Sequence, residues 1–310
     1  MRKIILYLSS ICALLTIATA CSNDEDTTPS NAEEHLFSPA ENDNSETAVL
    51  RRNFHKEVGS YLLFNDTLKH AQNGVDVYGN PIWSTELVDI SYTMSGSSSS
   101  TAYTYALYKD YASQLKAVNL VKEKLISRLG SALPYSFMIV DTITAWKNIH
   151  GILEKEKDDS YYGTYTNPTY LLGQRCYAIS LYGKNTSAYE DDSYFNDIFV
   201  SILMDKFKSS DESVLAKFKS YVSKYAGEYK TDVGYPWKFD NDLARSLGFW
   251  EDWSSYYFPS ADNDLKFFVT AISTYTTAQV EQQFANYPIV IERFILLKNI
   301  AKSWGIKFAD

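Results

Sequence analysis

Histidine is scarce in this chain and poorly placed for metal chemistry. The four residues are His35, His55, His70 and His150, and no two stand three or four positions apart. A zinc site built on a helix needs two imidazoles on one face and a third ligand from elsewhere. His150 with Glu154 and His55 with Glu57 are the nearest pairings, and both read as surface polar residues. No G-x-S-x-G elbow and no phosphate-cradling glycine pattern occur, which removes the usual signatures of serine hydrolases and nucleotide-binding proteins. Cysteine is also rare: Cys12, Cys21 and Cys176 are the only three. Cys12 lies in a leader and Cys21 at its end, so Cys176 in "RCYAISL" has no intramolecular partner. It reads as a small buried hydrophobe rather than a nucleophile. Basic charge is short as well, with 29 Lys and Arg against 38 Asp and Glu and a net charge of −9. Losing Arg2 and Lys3 with the leader makes it −11. Nucleic acid and a basic membrane-binding face are disfavoured on that balance.

The leader is the clearest feature present. Residues 1–20 have a charged start, the apolar run "IILYLSSICALLTIATA" and small residues at the end, the pattern of a secretory signal. A membrane-spanning helix fits less well, because the run is short and rich in Ser and Thr. "ATAC" is a lipobox, which makes Cys21 the expected site of lipidation. Two or more acyl chains would hold the chain on a membrane. "SNDEDTTPSNAEE" follows, too acidic and too poor in apolar residues to fold, so residues 21–45 read as a lipidated acidic tether. An acidic run directly after a lipidated Cys resembles the surface-export signal of Bacteroidetes lipoproteins, which implies an outer-membrane anchor facing the cell exterior.

Residues 46–310, about 265 of them, suffice for one large domain, and neither a linker nor a repeat divides them. "SGSSSS" (residues 95–100) reads as a loop. The patterning predicts a short helix over Ala48–Glu57 and strands at "SYLLFND" and Glu86–Met94, with the turn-rich "HAQNGVDVYGNPIW" between them. A long helix is expected over Tyr108–Leu129, capped by Gly130. Strands at Tyr135–Ile143 and Gln174–Tyr182 come next. Helices are then expected at Ser193–Lys208, Asp211–Tyr225, Asp240–Leu247, Asp262–Tyr275, Thr277–Asn286 and Ile289–Trp304. This segregation predicts an α+β domain with a strand-rich N-terminal lobe, a long helix and a helical C-terminal lobe.

One helix carries a further pattern. In "NDIFVSILMDKF", preceded by Phe195, the residues Ile198, Phe199, Ile202, Leu203 and Phe207 complete an apolar stripe. Asp197, Ser201 and Asp205 sit four apart beside it and share a polar face, the spacing at which enzymes mount metal ligands. Carboxylates such as Asp158, Asp159, Asp191 and Asp192 are plentiful, but nothing in the sequence pairs two of them across a cleft. "ADND" (Ala261–Asp264) lacks the length and alternation of a calcium loop and reads as an N-cap for the following helix. Aromatics are in excess, with 25 Tyr, 16 Phe and 6 Trp. They concentrate in "DDSYYGTYTNPTY" and "FWEDWSSYYF", where Tyr161, Tyr162, Trp250 and Trp253 are candidate ligand-contacting rings, although core packing would use the same residues.

The lipidated start, "FHKEVGSYLLFNDTL", "ALPYSFMIVDTI", "LGFWEDWSSYYFPSADNDLKFF" and the closing "IVIERFILLKNIAKSWGIKF" occur in an order that resembles the zinc-binding metallopeptidase lipoproteins of Bacteroidetes, also called substrate import-associated zinc metallohydrolase lipoproteins. The resemblance implies a zincin-like fold. It also implies a zinc ion held by His-Glu-x-x-His on a mid-chain helix, and partnership with a TonB-dependent transporter and its surface lipoprotein, with peptide or glycan as cargo. The matching positions here hold Asp197, Ile198 and Ser201, or Asn196, Asp197 and Val200 in the neighbouring frame. Of the family's later Glu-Asp-Phe-Ala-Glu pattern only Asp264 remains, within Asn263–Phe267. Asp197, Ser201 and Asp264 are therefore vestigial-site candidates, with zinc ligands and general base missing. The expectation is a non-catalytic binding or accessory lipoprotein of a nutrient-uptake system. The alternatives are an active metallohydrolase with unusual ligands and a glycan-binding surface lipoprotein.

Overall fold

The first described helix begins where Ser45 accepts the Ala48 N–H on its hydroxyl, and it ends at Gly59, whose φ of 85° lets the chain leave in the left-handed conformation. The computed structural model describes residues 36–88, 90, 101–147, 164–181 and 192–308. The leader, Cys21, His35, "SGSSSS", His150, Tyr161 and Tyr162 lie outside the described residues. Helix α1 (Glu46–Val58) is followed by β1 (Tyr61–Leu63), β2 (Thr67–Val75), β3 (Pro81–Leu87) and β4 (Thr101–Ala106). Helix α2 (Tyr111–Lys124) leads to β5 (Ser136–Val140), β6 (Thr142–Lys147), β7 (Thr164–Thr166), β8 (Tyr170–Leu172) and β9 (Tyr177–Ser180). The remainder is helical: α3 (Asp192–Ser209), α4 (Glu212–Ser220), α5 (Asn241–Ser246), α6 (Ala261–Thr274), α7 (Thr277–Gln283) and α8 (Pro288–Ser303). The fold is thus mixed α+β, strand-rich first and largely helical afterwards.

The main sheet has the order β1-β5-β9-β8. β1, β5 and β9 run parallel, and β8 closes the edge antiparallel to β9, with Tyr170 opposite Ile179. A central parallel strand is covered on both faces and reads as unbroken apolar sequence. β5 (SFMIV) fits, since all five residues are buried. Its Phe137 and Ile139 join Val118 and Val121 of α2 and the apolar stripe of α3 in one core. The same core continues through Phe268, Phe294 and Leu297 of the later helices. No described helix is long and apolar enough to cross a membrane.

Several expected boundaries move. The long helix stops at Lys124, and Ile126–Arg128 and Gly130–Ala132 continue as tight 3₁₀ turns. Leu125 and Leu129 are fully buried from this tighter geometry, so the apolar spacing is right while the backbone is not α-helical. Gly130 does not end a helix. It has φ 52° and lies where a Cβ would come within 2.4 Å of the Gly305 backbone. The turn-rich stretch after β1 forms a β2–β3 hairpin rather than a loop. Its tip is built by Asp76, whose side chain accepts from the Tyr78 and Asn80 N–H groups. The ribbon stands largely in solvent, so it has no apolar face to impose the alternation that marks a strand. β4, β7 and β8 are likewise absent from the expectation. β4, β6 and β7 form a separate three-stranded antiparallel sheet.

Candidate functional site

Helix α3 is where the expected site falls. Phe195, Ile198, Phe199, Ile202, Leu203 and Phe207 are all buried, so the stripe is pressed into the core as its spacing requires. The polar face runs beside the edge of the main sheet. Tyr170 of β8 hydrogen-bonds the Ser201 hydroxyl, and Tyr177 of β9 donates to Asp205 Oδ2 at 3.1 Å. One turn before Ser201's side of the helix begins, Tyr194 donates to the Ser180 carbonyl. Three tyrosine contacts thus lash the helix to β8 and β9. Burial, with the carboxylate of Asp205 beside it, pushes the Tyr177 phenol above its ordinary range, so it stays a neutral donor.

The three vestigial-site candidates do not meet. Asp197 is exposed to solvent, and Ser201 is half-buried against Tyr170. Asp264 is 1 % exposed, in the first turn of α6. Its two oxygens take the Arg293 guanidinium at 2.5 and 3.3 Å. Arg293 also donates to the Phe218 and Gly248 carbonyls at 3.1 and 2.7 Å and lies 4.0 Å over the Phe218 ring. That ion pair is a junction of α4, α6 and α8 inside the core, not an opening for a ligand. Burial pushes the Asp264 carboxyl up, and the facing guanidinium pulls against that shift.

Zinc finds a poor donor set at these positions. Ile198, where the general base would stand, is an apolar side chain sealed in the core. Ser201 is held by a tyrosine and Asp264 by an arginine. Among the described residues, no three His, Cys, Asp or Glu side chains gather as a metal-holding group. His55 and His70 stack instead on Tyr61 and Trp83, with ring centroids 4.0 and 4.8 Å apart. "ADND" opens α6, but the capping oxygen comes from Ser260, which accepts from the Asn263 N–H, while Asp262 pairs with Lys208. A cleft of ≈ 690 Å³ lies at the N-terminal end of α3, lined by Arg128, Asn196, Thr274 and Lys307 among others. Arg128 is committed there to the Asn196 side chain and the Phe199 ring.

The aromatic candidates divide. Trp250 is buried, its ring 4.5 Å from Phe284 and 5.5 Å from Phe268, and belongs to the core. Trp253 is 53 % exposed. Tyr256 and Tyr257 of the same "FWEDWSSYYF" stretch are exposed as well, and they meet rings that the sequence did not single out. Trp237, Phe239 and Tyr229 come from one stretch, and Tyr256 and Tyr257 from another. The two stretches are joined by an antiparallel bridge between Tyr229 and Tyr257 and by a buried ion pair, Lys230–Asp252, at 2.6 Å. Residues 22 positions apart carry no local sign of that pairing. For the first stretch the hint was a lysine set among aromatics in "GEYKTDVGYPWKF".

The chain matches no protein-family model, no curated protein and no solved structure.

Proposed function

We propose that the chain is a surface-displayed lipoprotein that binds or assists rather than catalyses, as an accessory component of an outer-membrane nutrient-uptake system. Lipidation at Cys21 and the acidic tether supply the anchor in this reading, and a TonB-dependent transporter with its surface lipoprotein is the partner implied by the resemblance. The zincin-like description belongs to the same reading. It is supported by a parallel-cored sheet whose antiparallel edge strand β8 touches α3. One observation supports a loss of chemistry: on the face of α3 that would present ligands, Ser201 and Asp205 are engaged by Tyr170 and Tyr177, and Ile198 is turned into the core.

Elemental analysis of the purified full chain tests this reading. The expected result is zinc far below one ion per chain after dialysis, with no change in melting temperature on adding a chelator. Stoichiometric zinc, or peptide hydrolysis abolished by Asp197→Ala, would reverse it in favour of an active hydrolase.

A further inference from the structure

We propose that the exposed aromatic surface of residues 229–257, centred on the Trp237–Tyr256 pair, binds a neutral polysaccharide. The proposal rests on the reading of a binding protein above, but not on the state of the α3 face.

The exposed large apolar side chains of this segment are all aromatic: Tyr229, Trp237, Phe239, Trp253, Tyr256 and Tyr257. The β2–β3 hairpin is different, exposing Val75, Val77 and Ile82 together with Tyr78 and Trp83. An aliphatic-rich patch suits burial against another protein. Flat rings with polar edges suit stacking on the C–H faces of sugars, with indole N–H and phenol O–H groups left to meet hydroxyls. Trp237 and Tyr256 stand edge to face, centroids 5.5 Å apart and 76° between planes, and remain 59 % and 53 % exposed. Tyr229 and Tyr257 form a second pair at 4.2 Å.

The rings are held before any ligand arrives. The Lys230 ammonium is wholly buried and spends its three donors on Asp252 Oδ2, the Lys238 carbonyl and the Ser254 carbonyl, at 2.6, 2.6 and 2.7 Å. The Lys230 N–H donates to the Tyr256 carbonyl at 2.9 Å. Asp252 Oδ2 also accepts from the Asp240 N–H, and Asp252 Oδ1 from the Trp253 N–H. One buried pair therefore fixes the three backbone stretches that carry Tyr229, Trp237 with Phe239, and Trp253 with Tyr256. Preorganised rings bind without an ordering cost. A buried ion pair is a weak source of net stability, and here its geometric consequence is the placement of the rings.

Charge selects among glycans. Glu228 and Asp232 are exposed beside the rings, and the exposed Lys238 is countered by Asp240 at 3.0 Å. Carboxylates accept hydrogen bonds from sugar hydroxyls and repel polyanions.

Affinity electrophoresis of the full chain through gels containing mixed-linkage β-glucan, xyloglucan, galactomannan or starch tests the proposal, with polygalacturonate as the anionic comparison. Retardation by at least one neutral polymer is expected. Trp237→Ala and Tyr256→Ala should each weaken it at least about tenfold, equivalent to roughly 1.4 kcal/mol. Tyr78→Ala on the hairpin should leave it unchanged, and unaltered circular dichroism and melting of each variant would separate lost stacking from lost folding. No retardation by any neutral polymer, retardation by polygalacturonate alone, or full binding by the Trp237→Ala/Tyr256→Ala double variant would overturn the proposal. Capture of a protein partner through the rings without any glycan binding would overturn it as well.

Discussion

Asp264 shows how a residue can keep its identity and change its work. Its carboxylate is enclosed with Arg293, and both are almost fully buried. Removing one partner of such a pair leaves an uncompensated charge, which costs about 3–5 kcal/mol. Asp264→Ala should lower the urea midpoint accordingly. Asp264→Leu combined with Arg293→Met should recover most of the loss, which a double-mutant comparison would register. A residue of a working catalytic site would behave otherwise, since its removal commonly leaves folding intact. Cys176 makes a second test at this scale. Burial pushes its thiol up to about 12, so almost no thiolate exists near neutrality. Iodoacetamide at pH 8 should leave Cys176 unlabelled in the native chain and modify it fully in urea, as peptide mass mapping would show. The sequence offered both residues for what they are chemically. It could not show that Asp264 faces an arginine 29 positions away, because that pairing is made by tertiary packing alone.

At the scale of elements, caps decide where helices start. Backbone N–H groups of Ser113 and Leu243 hold the Asp110 and Asp240 carboxyls below their ordinary value. A lowered folded pKa gives stability that is complete above the unfolded pKa and is lost as pH falls through the folded one. The urea midpoint should therefore stay level down to about pH 5 and decline below about pH 4. Asp110→Ala should lower the neutral midpoint and flatten that acid limb. The starts of the second-half helices were legible within a residue, several of them because an apolar stripe follows a polar cap such as Ser260 or Thr276, whereas two ends were not: the helices expected to reach Tyr225 and Asn286 stop at Ser220 and Gln283. The strands were legible only where they are buried. β5 announces itself by "SFMIV", whereas the β2–β3 ribbon and β8 lack a buried face that would print a period on the sequence. The candidate helix α3 was legible as a core helix for the same reason. Its use of Tyr170 and Tyr177 as partners was not, since hydrogen bonds across 28 or more positions leave no spacing rule.

For the molecule as a whole, one core joins the strand-rich and helical parts, from Phe54 and Phe137 to Phe268 and Leu297. Tryptophan fluorescence and far-ultraviolet circular dichroism should report one coincident unfolding transition. Gly130 and Gly305 bring two distant backbones into close approach. A methyl group on Gly130 would meet backbone atoms at 2.4–2.6 Å, whereas one on Gly305 meets Gly130 Cα at 3.5 Å. Gly130→Ala should destabilise by at least about 2 kcal/mol through forced overpacking, and Gly305→Ala by less, as thermal melts would show. Around that contact Ser131 N–H donates to the Trp304 carbonyl and Lys307 N–H to the Arg128 carbonyl, and Ile306 is buried in the core. Both hydrogen bonds span more than 170 positions of sequence. Closing so long a loop costs entropy that no local segment can recover by itself, so this clasp forms with the cooperative transition and its loss should slow folding more than it alters any single helix.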